Sequence, residues 1–455
     1  MSEVIVGILG FLCIIAIVVT LFKSKTLPSI AFVVFPFLLA LILVIGGYYS
    51  MGNVGALIKS GFGSTAPTAA LFVFSVLFFG IMTDAGMFDV IISRLMKLVG
   101  SSVIGVTVMT TVIALIGHLD GGGASTFCIV VPAMLPVYKK MHMRSTTLLR
   151  VSVLAMGVLN LMPWSGPTAR AATVLGIEAG ELWGTLLPIQ AFGIVLCLAH
   201  AVLAGWQEQK RGAGLNGKLA QLEGGAILDD AAQAVHNELA RPRLFVFNVL
   251  LTVAVIALLI WDEFPSYVPF MLGVAAAVLV NYGFDSKMHK KIINLHAGPA
   301  LMMCSTLMGA AVLMGVLVKS VTVNDVEVAS VVTCMSNLIK MILPDFLGRH
   351  LPLVIGVLSV PLALAFDTDS YFYGMLPVMI GIGEGFGIAA LPIAVAMVVC
   401  RNCATFISPM VPATLLGVGL ADVDIKDHIK NSFLYVWGFS ILCMIFAVIL
   451  GIMPL

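Results

Sequence analysis

Apolar runs long enough to cross a membrane recur from one end of this chain to the other. A helix of about 20 apolar residues spans the hydrocarbon core of a bilayer. Before the one long hydrophilic stretch, the predicted spans are residues 4–22, 28–48, 67–86, 148–176 and 183–206, with a helical hairpin over 102–138. After it they are residues 244–261, 265–283, 297–318, 388–419 and 430–452, with a hairpin over 350–384. The pattern predicts an all-α polytopic membrane protein.

The hydrophilic stretch divides the chain almost equally and is rich in Gly, Gln, Ala, Lys and Glu. We therefore predict a first repeat over residues 1–206, a cytoplasmic linker over 207–243 and a second repeat over 244–455. Three further segments carry polar side chains on a helical period, which is typical of helices lying at the membrane interface. These segments are residues 88–99, 286–293 and 322–343.

The distribution of Lys and Arg predicts the orientation of the spans. Basic residues follow the spans 4–22 and 67–86 and the first hairpin, and they fill the linker. All of them lie on the cytoplasmic side if each hairpin enters and leaves by the same face. Each half then crosses the membrane five times, and an odd number of crossings inverts the second half relative to the first. Lys319, Lys340 and Arg349 depart from this pattern. The sequence thus predicts two inverted-topology repeats, each with a re-entrant hairpin.

Polar clusters that break helices occur at matching places in the two halves. Met134–Val137 and Met375–Val378 both read Met-Leu-Pro-Val and are 241 residues apart, and Ser165 matches Ser408 at an offset of 243. Interrupted hydrophobic segments at corresponding positions of two halves mark the binding sites of many transporters. The duplication therefore predicts a binding site built from both halves.

The tip of the first hairpin, Asp120–Thr126, combines a carboxylate, three consecutive glycines and two hydroxyls. A helix that resumes at Ala124 would direct its N-terminal N–H groups towards an anion. Asp120 suits a cation or a proton, because a carboxylate inside a membrane is costly and usually functional. His118 is interpreted first as a packing residue and second as a ligand.

Proline and polar residues interrupt one span in each half. In the first, Pro163 and Pro167 would free backbone carbonyls for a cation, and the following helix could hold a carboxylate. Arg170 either pairs bidentately with a substrate carboxylate or forms a structural salt bridge with a buried Asp. In the second interruption, Arg401 either binds an anion or anchors at an interface. The side chains there that can bind substrate or a cation are Asn402, Thr405 and Ser408.

The tip of the second hairpin contains two carboxylates, Asp367 and Asp369, with hydroxyls between and after them. Such a pair suits a hard divalent ion or two carboxylates that share a proton. Apolar sequence on both sides argues against an ordinary solvated loop. The second tip is therefore the predicted cation or proton site.

Composition excludes several classes of protein. The chain is 60% hydrophobic and 10% charged, whereas a soluble domain has about 25% charged residues. A net charge of +1 gives no indication of nucleic-acid binding. The sequence contains neither a phosphate-binding G-x-x-x-x-G-K-[ST] motif nor a Gly-x-Ser-x-Gly elbow, so neither nucleotide-driven pumping nor hydrolysis is predicted. Cys400 and Cys403 form an isolated CxxC, which we interpret as helix packing.

At these motifs the chain resembles the citrate–metal:proton symporter (CitMHS) family of the ion transporter superfamily. The resemblance covers almost the whole chain. Its most specific parts are Leu119-Asp120-Gly121, the segment Asn160–Arg170 that reads N-L-x-P-W-x-G-P-T-A-R, the segment Phe366–Ser370 followed by Leu376-Pro377-Val378, and the segment Gly417–His428.

The resemblance implies a secondary symporter that imports citrate or a related di- or tricarboxylate, either free or as a complex with Mg, Ca or Zn, and is driven by protons. It also implies a homodimer in the bacterial inner membrane, with a scaffold and an elevator-type transport domain. The predicted substrate contacts are Gly122, Gly123, Ser125, Thr126, Asn160, Ser165, Gly166, Thr168, Arg170, Ser370, Asn402, Thr405 and Ser408. The predicted metal contacts are Asp120, Asp367 and Asp369.

One departure from the family pattern bears on the metal. The family typically has a second acidic residue two positions after the one that matches Asp120, and this chain has Gly122 there. Transport of a free carboxylate therefore stays open. The alternatives are a sodium-coupled dicarboxylate or sugar-acid carrier of the same superfamily, a channel, and a membrane-embedded enzyme. The duplicated interruptions disfavour the last two, because alternating access uses such breaks.

Overall fold

The protein is described from a computed structural model, which covers residues 1–23, 26–97, 102–215, 238–261, 263–323 and 326–454. The central part of the predicted linker, residues 216–237, lies outside the described residues. The helices of the first half are α1 (Glu3–Phe22), α2 (Pro28–Ile45), α3 (Met51–Asp84), α4 (Met87–Met96), α5 (Val103–Gly117), α6 (Gly123–Lys140), α7 (Ser145–Leu159), α8 (Gly166–Leu175) and α9 (Ala179–Arg211).

The helices of the second half are α10 (Phe245–Trp261), α11 (Tyr267–Tyr282), α12 (Ser286–Val318), α13 (Val331–Lys340), α14 (Asp345–Arg349), α15 (Leu351–Ala363), α16 (Leu376–Glu384), α17 (Ala390–Cys403), α18 (Pro412–Leu420) and α19 (Ile425–Ile449). Strands β1 (Val321–Val323) and β2 (Val326–Val328) form one antiparallel pair. Each half therefore has three helices, a helical hairpin, an interrupted helix and a long final helix in the same order. Short elements stand between the third helix and the hairpin, α4 in the first half and β1, β2, α13 and α14 in the second.

Within the described ranges, nine helices are long and apolar enough to cross a membrane. The outward face of α1 exposes Ile8, Leu12 and Ile15, which suits contact with lipid rather than with water. Length, composition and this apolar exterior confirm the prediction of an all-α polytopic membrane protein.

Two of the predicted interfacial segments were wrong in detail. Residues 286–293 are the first turns of α12, whose start is capped where the Asp285 side chain accepts from the backbone N–H of Lys287 and Met288. Residues 322–343 begin as part of the β1–β2 pair, in which Val321 lies opposite Val328 and the β-branched residues favour extended backbone. Only α13 in that segment is helical. Of the segment 88–99, residues 88–96 are helical as part of α4, residues 98 and 99 lie outside the described residues, and the position of this helix at the interface stays a prediction.

Helices α1, α2, α3, α10, α11 and α12, here called the framework helices, form a connected group through the pairs α1–α2, α2–α12, α3–α12, α3–α11 and α10–α11, and α1 also packs closely on α13. The closest packing is between α3 and α12. A methyl group on Gly61 would lie 2.0 Å from the carbonyl oxygen of Ala311, and one on Gly315 would lie 2.5 Å from that of Leu57. Glycine at both positions lets the two backbones approach closely, as in other helix pairs of membrane proteins.

The remaining long helices carry the four predicted breaks. The predicted span 148–176 consists of α7 and α8, separated by a turn at residues 160–165, and the span 388–419 consists of α17 and α18, separated by a turn at residues 404–411. The first hairpin turns through a 3₁₀ segment, His118–Asp120, between α5 and α6. The second turns after α15 into a π-helical segment, Ser370–Met375, that leads to α16. The interruptions confirm what the proline and polar positions predicted.

Candidate functional site

All four breaks border one cavity of about 820 Å³. The framework contributes Leu27 and Pro28 at the start of α2 and Met303 of α12 to the opposite wall. The polar and turn residues that line it from the breaks are Gly121, Gly123, Asn160, Gly166, Pro167, Arg170, Asp367, Thr368, Asp369, Thr405 and Pro409. The two halves thus contribute one tip and one interruption each, as the duplicated motifs predicted.

The first tip is a compact polar turn. Gly121 adopts φ +69°, a left-handed conformation that glycine takes without strain. The Asp120 carboxylate accepts hydrogen bonds from the backbone N–H of Gly122 at 2.7 Å and from the Ser125 hydroxyl. A methyl group on Gly122 would lie 2.4 Å from Ser125 Oγ, so an acidic side chain there would require Ser125 to move. The glycine that departs from the family pattern is therefore part of the turn geometry.

A buried histidine joins the first tip to the first interruption. His118 Nδ1 lies 2.7 Å from Thr126 Oγ1, and Nε2 lies 3.1 Å from Asn160 Oδ1. The Thr126 hydroxyl also donates to the carbonyl of Gly122 at 2.7 Å. His118 is 1% exposed and does not border the cavity. This arrangement agrees with its interpretation as a packing residue.

Side chains satisfy the carbonyls freed at the first interruption. The Asn160 carbonyl accepts from Thr168 Oγ1 at 2.8 Å and from Asn402 Nδ2 of the other half at 3.0 Å. The Ser165 hydroxyl donates to the Leu159 carbonyl at 3.2 Å. These bonds leave Asn160 Nδ2 and Asn402 Oδ1 buried and without a hydrogen-bond partner in the described structure. A buried polar atom without a partner is costly, and because Asn160 also borders the cavity, its Nδ2 is available to donate to a ligand.

Arg170 forms an ion pair with Asp369. Its Nε donates to Asp369 Oδ1 at 2.5 Å, and the two side chains are 13% and 15% exposed. Both residues still border the cavity. Arg170 was predicted either to bind a substrate carboxylate or to form a salt bridge with a buried Asp. In this conformation it forms the salt bridge, and its position at the cavity wall is also compatible with contact to a substrate.

Asp367 organises the second tip. Its Oδ1 accepts from the backbone N–H of Asp369 at 2.9 Å and of Ser370 at 3.0 Å, and its Oδ2 accepts from the Ser370 hydroxyl at 2.6 Å. Aspartate commonly caps a turn through such bonds to the following residues. One carboxylate of the predicted cation pair is therefore held by its own turn and the other by Arg170.

Arg401 is a site residue that the predicted set lacked. It is 0% exposed, which contradicts an anchor at an interface, because an anchor keeps its charged end in water. Its Nη1 donates to Thr405 Oγ1 at 3.0 Å, and its Nη2 donates at 3.4 Å to both the Phe366 carbonyl and Thr368 Oγ1. The guanidinium thus lies directly behind two residues of the cavity wall.

The predicted site residues fall into two groups. Those that border the cavity are Gly123, Asn160, Gly166, Arg170, Asp367, Asp369 and Thr405. Those that lie behind the wall or within a tip are Asp120, Gly122, Ser125, Thr126, Ser165, Thr168, Ser370, Asn402 and Ser408. Sequence reasoning missed Leu27, Pro28 and Met303, because ordinary residues of an apolar helix carry no chemical signal of a cavity. It also missed Thr368, which lies between the two carboxylates that were identified.

The charged groups of the cavity bear on metal binding. In the described part of the chain, no group of three or more His, Cys, Asp or Glu side chains could hold a metal ion. Divalent Mg or Ca requires six or more oxygen ligands, and Mg usually keeps some of its waters and takes others from its substrate. The described carboxylates of this cavity therefore supply fewer than the six oxygen ligands that such an ion requires.

Comparison with known proteins gives matches along nearly the whole chain. The CitMHS family model, described as "Citrate transporter", matches residues 11–400. A citrate transporter of Bacillus subtilis (strain 168) is 33% identical over 449 residues, which cover 98% of this chain and 99% of the relative. A Mg(2+)/citrate complex secondary transporter of the same organism is 32% identical over 424 residues, 93% of each chain. These matches confirm the family resemblance found in the motifs.

A solved structure shares the fold. The crystal structure of the Alcanivorax borkumensis YdaH transporter covers 90% of this chain, and 91% of its own chain is matched, with a TM-score of 0.57. The sequences are 13% identical, so this similarity concerns the fold alone. The chain therefore shares the architecture of a membrane transporter.

Proposed function

Because the chain belongs to the CitMHS citrate transporter family, and is thus a transporter of the bacterial inner membrane and not an enzyme, we propose that it imports citrate or a related di- or tricarboxylate. The observation that carries the proposal is the cavity itself. It is bordered by all four breaks, by Asn160, whose amide nitrogen has no hydrogen-bond partner in the described structure, and by the Arg170–Asp369 ion pair, and Arg401 lies behind its wall. Such donors match the oxygen atoms of a polycarboxylate.

The transported species is proposed to be a complex of the carboxylate with a divalent metal. The wall presents charges of both signs, Arg170 together with Asp367 and Asp369, and Arg401 lies behind it. A free citrate trianion would meet repulsion from the carboxylates, whereas a bound divalent ion offsets two of its three charges. A relative whose name specifies the Mg(2+)/citrate complex supports this choice. The metal is then cargo, which enters on its citrate ligand and lies towards Asp367, Asp369 and Asp120.

Proton coupling is proposed to act through the ion pair. A substrate carboxylate competes with Asp369 for Arg170, because both offer the same oxygen ligands. Once released from Arg170, the Asp369 carboxylate can take up a proton or approach the metal. The test is uptake by an Asp369→Asn variant across a range of imposed pH gradients. Transport with undiminished proton dependence in that variant would rule out this role for Asp369.

Alternating access is proposed to follow an elevator-type motion. The protein is proposed to be a homodimer, in which each subunit contains two inverted repeats. The matching order of elements in the two halves supports the repeat, and the position of the cavity supports the motion. One wall comes from framework helices and the other from the breaks, so sliding one group past the other would move the site across the membrane. Disulfide cross-links engineered between α12 and the second tip would stop uptake reversibly if the two groups must slide.

The function is tested with purified protein in proteoliposomes. Uptake of radiolabelled citrate is measured under an imposed pH gradient, with and without Mg²⁺, Ca²⁺ or Zn²⁺, and with Na⁺ replaced by K⁺. We expect saturable uptake that requires both a divalent ion and the proton gradient. Uptake that ignores divalent ions would point to a free carboxylate, a requirement for Na⁺ would point to sodium coupling, and the absence of citrate uptake would overturn the proposal.

A further inference from the structure

Arg401 carries a positive charge in the interior and forms no direct ion pair in the described structure; the carboxylates of Asp367 and Asp369, which attract it, lie beyond salt-bridge distance. The residue is 0% exposed, and no described carboxylate lies within 4.0 Å of its guanidinium. Its Nε is buried and has no hydrogen-bond partner in the described structure. A buried charge without a counter-charge is much more costly than a paired one. Burial of the Arg401 charge therefore has a free-energy cost, which an anion bound close by would reduce.

The charge is directed at the cavity through two hydroxyl groups. Thr405 Oγ1 accepts from Arg401 Nη1 at 3.0 Å, and Thr368 Oγ1 accepts from Nη2 at 3.4 Å. Both threonines border the cavity, one from the second interruption and one from the second tip. A hydroxyl that accepts from a guanidinium keeps its own proton for another acceptor. In the described structure the Thr405 hydroxyl donates its proton only to the Arg401 carbonyl, at a long 3.4 Å. A carboxylate oxygen in the cavity could replace this carbonyl as the acceptor.

Building on the proposed function, we propose that Arg401, Thr368 and Thr405 form a subsite for one carboxylate of the substrate. The two hydroxyls supply the hydrogen bonds, and Arg401 supplies the positive charge from behind the wall and orients them. Arg401 is thus a positioning residue that sets how many carboxylates the ligand must have. Arg170, at the other side of the second tip, is already neutralised by Asp369.

The chain offers a matched control in Arg150. This arginine is also buried, at 1% exposure, and also has an unpaired Nε. Its Nη2 donates to Gln207 Oε1 at 3.0 Å, and its Cζ lies 4.1 Å from the centroid of the Tyr435 ring. None of these three residues borders the cavity. Replacing Arg150 therefore removes a buried guanidinium without changing the subsite.

The test compares two ligands that differ by one carboxylate. Tricarballylate and glutarate share a five-carbon chain, and only tricarballylate has the central carboxylate. Binding of each to the full-length protein in detergent with Mg²⁺ is measured by calorimetry for the wild type, Arg401→Gln, Arg401→Lys and Arg150→Gln. We expect Arg401→Gln to weaken binding of the tricarboxylate by roughly tenfold to a hundredfold, the range for losing hydrogen bonds to a charged group. The preference of Arg401→Gln for tricarballylate over glutarate should therefore be smaller than that of the wild type. We expect Arg401→Lys to keep most of this preference and Arg150→Gln to keep all of it.

The outcomes separate the subsite from a structural role and from the proposed function. Equal weakening of both ligands in Arg401→Gln would mean that the arginine only supports the fold of the site, which overturns the subsite. A wild type that binds neither these ligands nor citrate would overturn the proposed function, and the subsite with it. If Arg401→Gln does not fold, Thr405→Val, which removes one hydroxyl at nearly constant volume, must reduce the same preference; an unchanged preference would refute the subsite.

Discussion

Arg170 and Asp369, 199 residues apart in the chain, meet at the cavity wall as an ion pair whose Nε and Oδ1 atoms lie 2.5 Å apart. Arg170 belongs to the helix after the first interruption, and Asp369 belongs to the second hairpin tip. The pair therefore closes one side of the site with one residue from each half. Neither half presents this part of the site alone, which agrees with a binding site built from a duplicated motif.

The energetic importance of this pair can be measured by a double-mutant cycle. Arg170→Gln or Asp369→Asn alone leaves one charge without its partner in a mostly buried place, and we expect each to lower the free energy of unfolding by about 3 kcal/mol or more. The double variant should lose less than the sum of the two, because it leaves no unpaired charge. Thermal melts of the four proteins in one detergent measure the coupling. Strictly additive losses would show that the two charges do not stabilise each other.

Gly61 should tolerate no larger side chain, because α3 and α12 touch there. Gly61→Ala places a methyl group 2.0 Å from the Ala311 carbonyl, and we expect a loss of about 1–3 kcal/mol in stability from the forced separation of the helices. Gly63→Ala on the same helix has no atom within 4 Å of the new methyl group. It should be neutral or slightly stabilising, since alanine is the better helix former. Equal melting temperatures for the two variants would contradict the close packing.

Replacement of Asn402 should change the KM for substrate uptake as well as the stability of the fold. Asn402→Ala removes the bond to the carbonyl of Asn160, a residue that borders the cavity, so we expect at least a tenfold rise in the KM for uptake. The control is Asn248→Ala. Asn248 is an equally buried amide, which exchanges hydrogen bonds of 3.0 and 2.8 Å with Asn281 in the framework. Both variants should be less stable than the wild type, but only Asn402→Ala should change KM in the uptake assay.

Glu208 should hold the end of α9 against the start of α7. Its carboxylate is buried and accepts from Arg144 Nε at 2.6 Å, from Thr147 Oγ1 at 2.6 Å and from Arg211 Nη2 at 2.8 Å. Because both arginines are partly exposed, solvent reduces the effect, and we expect Glu208→Gln to cost about 1–3 kcal/mol. Glu181→Gln, at an exposed position of α9, should leave the melting temperature unchanged. A Glu208→Gln protein as stable as the wild type would show that the cluster does not stabilise this joint.

The sequence predicted features that depend on local chemistry. Proline, glycine and polar residues inside apolar runs cannot continue a helix in lipid without a partner, so the breaks near Pro163 and Ser408 could be located from the pattern alone. Local patterns gave wrong predictions where the secondary structure depends on residues outside the segment. The polar residues 286–293 look like a separate surface helix but start a helix of 33 residues. Strands of three residues are too short to give a periodic signal.

The partners within the site depend on folding and could not be predicted from spacing. Arg170 could be identified as either a substrate contact or half of a salt bridge, and only the approach of Asp369 from the other half decides which bond it makes here. Likewise, Arg401 is distinguished from an interfacial anchor by its burial, which no local pattern encodes. Met303 has no polar group, and it belongs to the site because α12 passes next to the second tip.

The Asn160 carbonyl accepts one hydrogen bond from Thr168 of its own half and one from Asn402 of the other half. Parting the two interruptions would leave the buried Asn402 amide nitrogen without its acceptor, while the carbonyl would keep only its bond from Thr168, so this contact favours movement of the two interruptions as a single piece. In the proposed elevator motion, a ligand held between them would therefore keep the same neighbours on that side throughout its passage and exchange those on the framework side. One wall of the cavity would then determine how tightly the ligand is held, and the other wall would determine when it leaves.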